Sequence, residues 1–131
     1  MSFATPLYAG FFGLLLVFLS WRVVNLRNRY QVKMGDGGHS ELTAAVRAYD
    51  NLLEYLPTAL VLMMMLEFLG FNTLVIHVLG LWLVGARLLH LKGIQEPSGA
   101  SKSRRIGTRL TWVQMAATAI FCLIGSFGFT F

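Results

Sequence analysis

Acidic residues are scarce in this sequence and cysteine is nearly absent. Asp and Glu number 6 among 131 residues, against 11 Lys and Arg, and charged side chains make up 13% of the chain. That is too little polar surface to dissolve a domain of this size, so a water-soluble globule is excluded. The single Cys122 cannot close an internal disulfide, which excludes a cystine-stapled scaffold and says little about redox compartment. It lies in an apolar run, where a thiol packs as a small apolar group and is a poor nucleophile. No phosphate loop is present either, since no Gly-Lys-Ser/Thr follows the glycines of "KMGDGGHS".

The chain is instead rich in long uncharged runs. Hydrophobic residues make up 56% and the mean hydropathy is +0.62. Met1 to Trp21 carries no charged side chain, and Tyr55 to Phe71 carries only Glu67. Phe68 to Ala86 and Leu110 to Phe131 carry none. A helix crosses a bilayer with about 20 mainly apolar residues, so these runs predict four transmembrane helices. The fold class is an all-α integral membrane bundle, one four-helix domain over residues 1–131. A membrane barrel would alternate apolar and polar residues, and these runs do not. The first run has no basic flank and no small-residue cleavage pattern, so it reads as a retained helix and not a signal peptide.

Orientation follows from the basic residues. Arg22, Arg27, Arg29, Lys33 and Arg47 surround the first connection, and Arg87, Lys92, Lys102, Arg104, Arg105 and Arg109 surround the third. The second connection and both termini have none. Basic loops stay in the cytoplasm, which predicts cytosolic first and third loops and outward termini. The net charge of +5 therefore calls for anionic lipid at the membrane boundary and not for nucleic acid.

The predicted helices run over Pro6–Arg29, Glu41–Leu69, Leu74–Leu91 and Arg104–Phe127, with "KMGDGGHS" and "KGIQEPSGASKS" as loops. Ser40 is the expected N-cap of helix two, with Glu41 in its first turn, and Pro57 is the expected site of a kink. Gly10 and Gly13, with Gly80 and Gly85, are expected to allow close helix approach, although neither pair has GxxxG spacing. Glu67 is expected to be solvated at the outer boundary and His77 to bond between helices there. Met63 to Met65 point in different directions around a helix, so they are not read as a metal site and no metal is expected.

Helix two is longer than a span requires, and its first turns are polar. Arg47, Asn51, Glu54 and Tyr55 fall at i, i+4, i+7 and i+8, which places them on one face. Such a row is either a solvated helix end or a polar site at the membrane boundary, where ionisable groups usually mark function. Arg87 and His90 in helix three, Arg105 and Arg109 in helix four, and Arg27 and Arg29 at the end of helix one share that depth. Together they predict a basic pocket suited to a small carboxylate-bearing ligand, because guanidinium pairs with carboxylate through two parallel hydrogen bonds. The competing reading is that arginines here reach lipid phosphates, which fits Arg22, Lys33, Lys92, Lys102 and Arg104.

The stretch "GDGG…RAYDNLLEYLP", with "GARLLH" in helix three and "RRIG" opening helix four, resembles the MAPEG superfamily, the membrane-associated proteins of eicosanoid and glutathione metabolism. The resemblance spans essentially the whole chain. It implies a homotrimer of four-helix protomers with glutathione as co-substrate, bound near the cytosolic face. It also implies a second, lipophilic substrate arriving through the bilayer, either an electrophile attacked by the thiolate or a lipid hydroperoxide that is reduced. Carried over by position, Arg47, Asn51, Glu54 and Tyr55 hold the peptide, with Glu54 at its ammonium and Arg47 at a carboxylate. Arg27 joins from helix one in preference to Arg29, and Arg87 and His90 join from helix three. Arg105 stabilises the sulfur as thiolate, with Arg109 as its rival. Two positions depart from the pattern: Ile94 stands where glutathione-using members commonly carry tyrosine, and Tyr49 where His or Gln is frequent. A non-enzymatic lipid-binding or scaffolding member is the alternative. A small multidrug exporter is ranked below both, because helix one lacks the glutamate such proteins carry.

Overall fold

The computed structural model describes residues 3–95 and 101–130. Among them every regular element is an α-helix: α1 (Thr5–Tyr30), α2 (Ser40–Phe68), α3 (Thr73–Gln95) and α4 (Lys102–Ser126). All four are long and apolar enough to cross a membrane. The helices run up and down, α3 packs most extensively on α4, α1 rests mainly on α2, and among the described residues α1 and α4 do not meet. Phe12, Leu52, Met63, Leu66, Ile76 and Leu83 form a fully buried apolar core, to which α4 adds buried Thr111, Gln114 and Thr118. Leu7, Phe11, Leu14, Phe18 and Trp21 recur along one exposed face of α1, at the spacing of a helix that turns an apolar stripe to lipid or to a neighbouring chain.

The boundaries differ from the sequence expectation where polar helix continues past the membrane. α3 extends to Gln95 and α4 begins at Lys102, so both ends of the predicted third loop are helical; its middle lies outside the described residues. Ser101 caps α4, its Oγ accepting from the Arg104 amide at 3.4 Å. Ser40 does not cap α2: it is the first helical residue, and His39 occupies the cap without a side-chain bond. Asp36 and Thr43 fix the chain entry instead. The His39 amide donates to the Asp36 carbonyl at 3.0 Å, and the Thr43 hydroxyl donates to the Asp36 carboxylate at 2.7 Å. α2 passes Pro57 as one uninterrupted helix of 29 residues. That length is roughly 43 Å, against a hydrocarbon core of about 30 Å, so about a third of α2 is free to build a site beyond the apolar layer.

Close approaches at glycines set the packing. Gly80 admits the ring of Tyr8, which would overlap any Cβ at that position. The Tyr8 hydroxyl then lies 2.8 Å from His77 Nδ1 and donates to the His77 carbonyl at 3.1 Å, tying α1 to α3. At Gly107 an added Cβ would stand 2.6 Å from the His90 amide nitrogen and 2.8 Å from the Ala86 carbonyl oxygen. Gly10, Gly13 and Gly85 have open space where a Cβ would go, so within the protomer they serve no close approach.

Glu67 is not solvated as expected. Its carboxylate accepts from the amides of Ala4 and Thr5, the latter at 3.1 Å. It thus satisfies two of the donors left open at the start of α1 and places negative charge at the positive end of that helix. Glu67→Ala is expected to cost about 1–2 kcal/mol. The check is a lower melting temperature in detergent together with faster amide exchange confined to the first turn of α1.

Candidate functional site

The polar turns of α2 face a cavity at the basic end of the bundle, about 1470 Å³ in volume. Three sequence features shape it. The first four turns of α2 reach from beyond the apolar layer to its edge and bring Arg47, Asn51 and Glu54 to the wall on one face. The α1–α2 loop folds over the opening, with Gly35, Gly37 and Gly38 at positive φ (70°, 58° and 79°), a conformation that costs glycine least. Close packing of α3 on α4 at Gly93 and Gly107 draws His90 and Ile94 together with Arg104 and Thr108 at the far wall.

The loop is fastened by its own hydrogen bonds. Arg27 Nη1 donates to the Gly35 carbonyl at 2.6 Å. Asp36 accepts from the Thr43 hydroxyl at 2.7 Å and from the Gly38 amide at 2.9 Å. The Thr43 hydroxyl first, and then the Gly38 amide, hold the Asp36 carboxyl below the usual carboxylate range. Outside the cavity, His39 stacks on Tyr30 with ring centroids 3.9 Å apart, and the Tyr30 hydroxyl donates to Glu41 at 2.8 Å.

The cavity is charge-balanced and not basic. Arg22, Arg27, Arg47 and Arg104 line it, and so do Asp36, Glu41, Asp50 and Glu54. The predicted basic character fails because the loop and the start of α2 contribute carboxylates to the same space as the arginines. A chamber of this kind suits a zwitterion, whose ammonium and carboxylate groups each find an opposite charge.

Behind the wall lies a buried polar cluster. Arg87 is only 1% exposed. Its Nη2 donates to Asn51 Oδ1 at 2.6 Å and lies 3.4 Å from His90 Nδ1. Its guanidinium carbon stands 5.8 Å from the centre of the Tyr55 ring, within cation–π range. Asn51 Nδ2 in turn donates to Glu54 Oε2 at 3.4 Å. Tyr55, itself half-buried, does not line this cavity.

Of the residues singled out in the sequence, Arg27, Arg47, Asn51, Glu54 and His90 line one cavity, with Arg87 and Tyr55 packed behind it. Arg29 lies outside, over the Tyr30 ring. Arg105 and Arg109 are exposed and do not line the cavity. Arg104 and Arg22, which fitted a lipid-facing role in the sequence, are the additional cavity arginines. A signal for Arg104 was present: Gly93 and Gly107 mark where α3 and α4 touch, and Arg104 sits one turn before Gly107 beside that contact.

A family model described as the MAPEG family matches residues 5–124. The chain is 42% identical over 108 residues to inner membrane protein YecN of Escherichia coli strain K12, covering 82% of this chain and 81% of that protein. YecN of Escherichia coli O6:H1 strain CFT073 matches with the same identity and coverage.

Proposed function

We propose, since this chain belongs to the MAPEG family, that it binds glutathione in the α2 cavity and presents the thiolate to lipophilic electrophiles or lipid hydroperoxides. The observation that carries the reading is the cavity wall itself. Arg47, Asn51 and Glu54 stand in line on one helix face, within a chamber lined by four guanidiniums and four carboxylates. Glutathione has two carboxylates and an ammonium, and each finds an opposite charge there. Arg47 receives a carboxylate, Glu54 receives the ammonium, and Arg27 supports the peptide from α1.

The protein is an integral membrane protein with four helices able to span. The proposal adds an inner-membrane location, a cytosolic cavity with outward termini, and a homotrimer. A thiol of ordinary pKa near 8.5 is mostly protonated at neutral pH, and an adjacent guanidinium raises its ionised fraction. α4 supplies that guanidinium. Arg104 acts if the site is complete within one protomer; Arg105 or Arg109 acts if it is completed across an interface between copies. Binding without turnover is the second reading, favoured by Ile94, which gives the wall beside His90 an apolar group with no proton to donate. An exporter is disfavoured, because Glu67, the one acidic residue in the apolar half, is committed to the amides of α1.

The test is ultraviolet thiolate absorbance during glutathione titration of the wild type and of Arg104→Ala, Arg105→Ala and Arg109→Ala. A saturable signal removed by one substitution is the expected result. Saturable binding without any thiolate signal in the wild type would select the binding-only reading.

A further inference from the structure

We infer that Arg87 is a positioning residue that sets the hydrogen-bond polarity of the cavity wall, so that Asn51 and His90 both present donors to the ligand. An arginine side chain has five N–H donors and no acceptor. Its Nη2 lies 2.6 Å from the Asn51 amide, so the atom facing it must be the oxygen. A flipped amide would oppose two donors across that distance. Asn51 lines the cavity, and with its oxygen committed inward the NH2 group is what remains for the ligand. The same Nη2 lies 3.4 Å from His90 Nδ1. A donor at that nitrogen makes it the acceptor, so the neutral ring carries its proton on Nε2. The bond from Asn51 Nδ2 to Glu54 Oε2 agrees with this polarity.

The wall is therefore a fixed sequence: two donors, from Asn51 and His90, with one carboxylate acceptor, Glu54, beside the first. Its complement is a ligand segment with acceptor oxygens next to an N–H donor. An α-amino acid end or a peptide link has that pattern; a simple dicarboxylate or a phosphate lacks the donor. Burial makes the setting rigid. Arg87 is 1% exposed, and its Nε and Nη1 have no hydrogen-bond partner, so giving up Asn51 or His90 would leave yet another buried donor unpaired. The ligand half of this inference rests on the glutathione reading; the polarity half does not.

The test pairs Asn51→Asp with Arg87→Met and reads thermal stability and glutathione affinity. In Asn51→Asp one carboxylate oxygen faces buried Arg87 and the other replaces the amide opposite Glu54, whose exposure lets water screen that repulsion. The melting temperature should hold or rise, while glutathione affinity falls by about tenfold or more, because the donor to the ligand is gone. In the Arg87→Met background the same Asn51→Asp change should lower the melting temperature, since the carboxylate loses its partner. That reversal of sign is the signature of the contact. Nitrogen NMR of the His90 ring should show the proton on Nε2 in the wild type and a mixture of tautomers in Arg87→Met. Should Arg87→Met fail to fold, Arg87→Lys keeps a donor for Asn51, and affinity should stay within about threefold of wild type. Asn51→Asp binding as well as wild type, or Asn51→Asp lowering stability equally in both backgrounds, would overturn the inference. If the wild type binds no glutathione, the proposed function fails, and the sign reversal and the His90 tautomer still decide the polarity.

Discussion

Arg47→Ala should weaken glutathione binding by about 10- to 100-fold and leave the melting temperature almost unchanged, because a hydrogen bond to a charged group contributes about 1.5–3 kcal/mol. The separation of the two readouts is the point. Arg47 lines the cavity and is exposed, unlike buried Arg87 and His90. Removing it opens no hole in the core and orphans no buried donor, so exposed substitutions of this kind stay within about 0.5 kcal/mol. A ligand carboxylate, by contrast, loses a two-point partner. Calorimetric titration and a thermal melt on the same preparation check both halves. A large fall in melting temperature, or unchanged affinity, would show that Arg47 does not act as proposed. Arg47→Lys should recover only part of the affinity, since an ammonium cannot reproduce the paired geometry.

Gly107→Val should be among the most damaging substitutions outside the cavity wall. A Cβ at this position would meet the His90 amide nitrogen at 2.6 Å and the Ala86 carbonyl oxygen and His90 Cα at 2.8 Å. These are backbone atoms, and no rotamer change removes them. The helices must separate, which shifts the stretch of α3 that carries Arg87 and His90. Overpacking usually costs about 1–3 kcal/mol, and more where only backbone can move. We expect about 3 kcal/mol or more, read as a fall in melting temperature, with loss of glutathione binding alongside. Gly107→Ala should show the same effects in smaller measure. A valine variant that melts with the wild type would mean that α3 and α4 do not approach as described.

The four spans were legible because the bilayer imposes its thickness on the sequence. Uncharged runs of that length are costly to leave in water, and all four became helices. The ends were less legible, because helix persists where the membrane constraint stops. Lys92 and Gln95 are polar and still helical, and Ser40 is a good cap that the Asp36–Thr43 contact displaces. Helical spacing alone placed Arg47, Asn51 and Glu54 on one wall, since those three share an element. The balance of charge in the cavity was only partly visible: Asp50 neighbours Arg47 and Glu54 on the same helix, whereas Asp36 joins them only once the loop folds over. Contacts between elements were hardest to foresee. Nothing near Glu67 in the sequence announces that it caps a helix beginning 62 residues earlier. The choice among Arg104, Arg105 and Arg109 turns on helix phase, where one residue rotates a side chain by about 100°.

The central claim is that the polar turns of α2 form a glutathione site. Its most direct test is calorimetric titration of the detergent-purified wild-type protein with glutathione, repeated on Glu54→Gln. Saturable binding that Glu54→Gln weakens at least tenfold, with the melting temperature unchanged, is the result predicted from loss of the ammonium's partner. No saturable heat in the wild type at cytosolic glutathione concentrations would contradict it, and the cavity would then belong to a different zwitterion or to lipid.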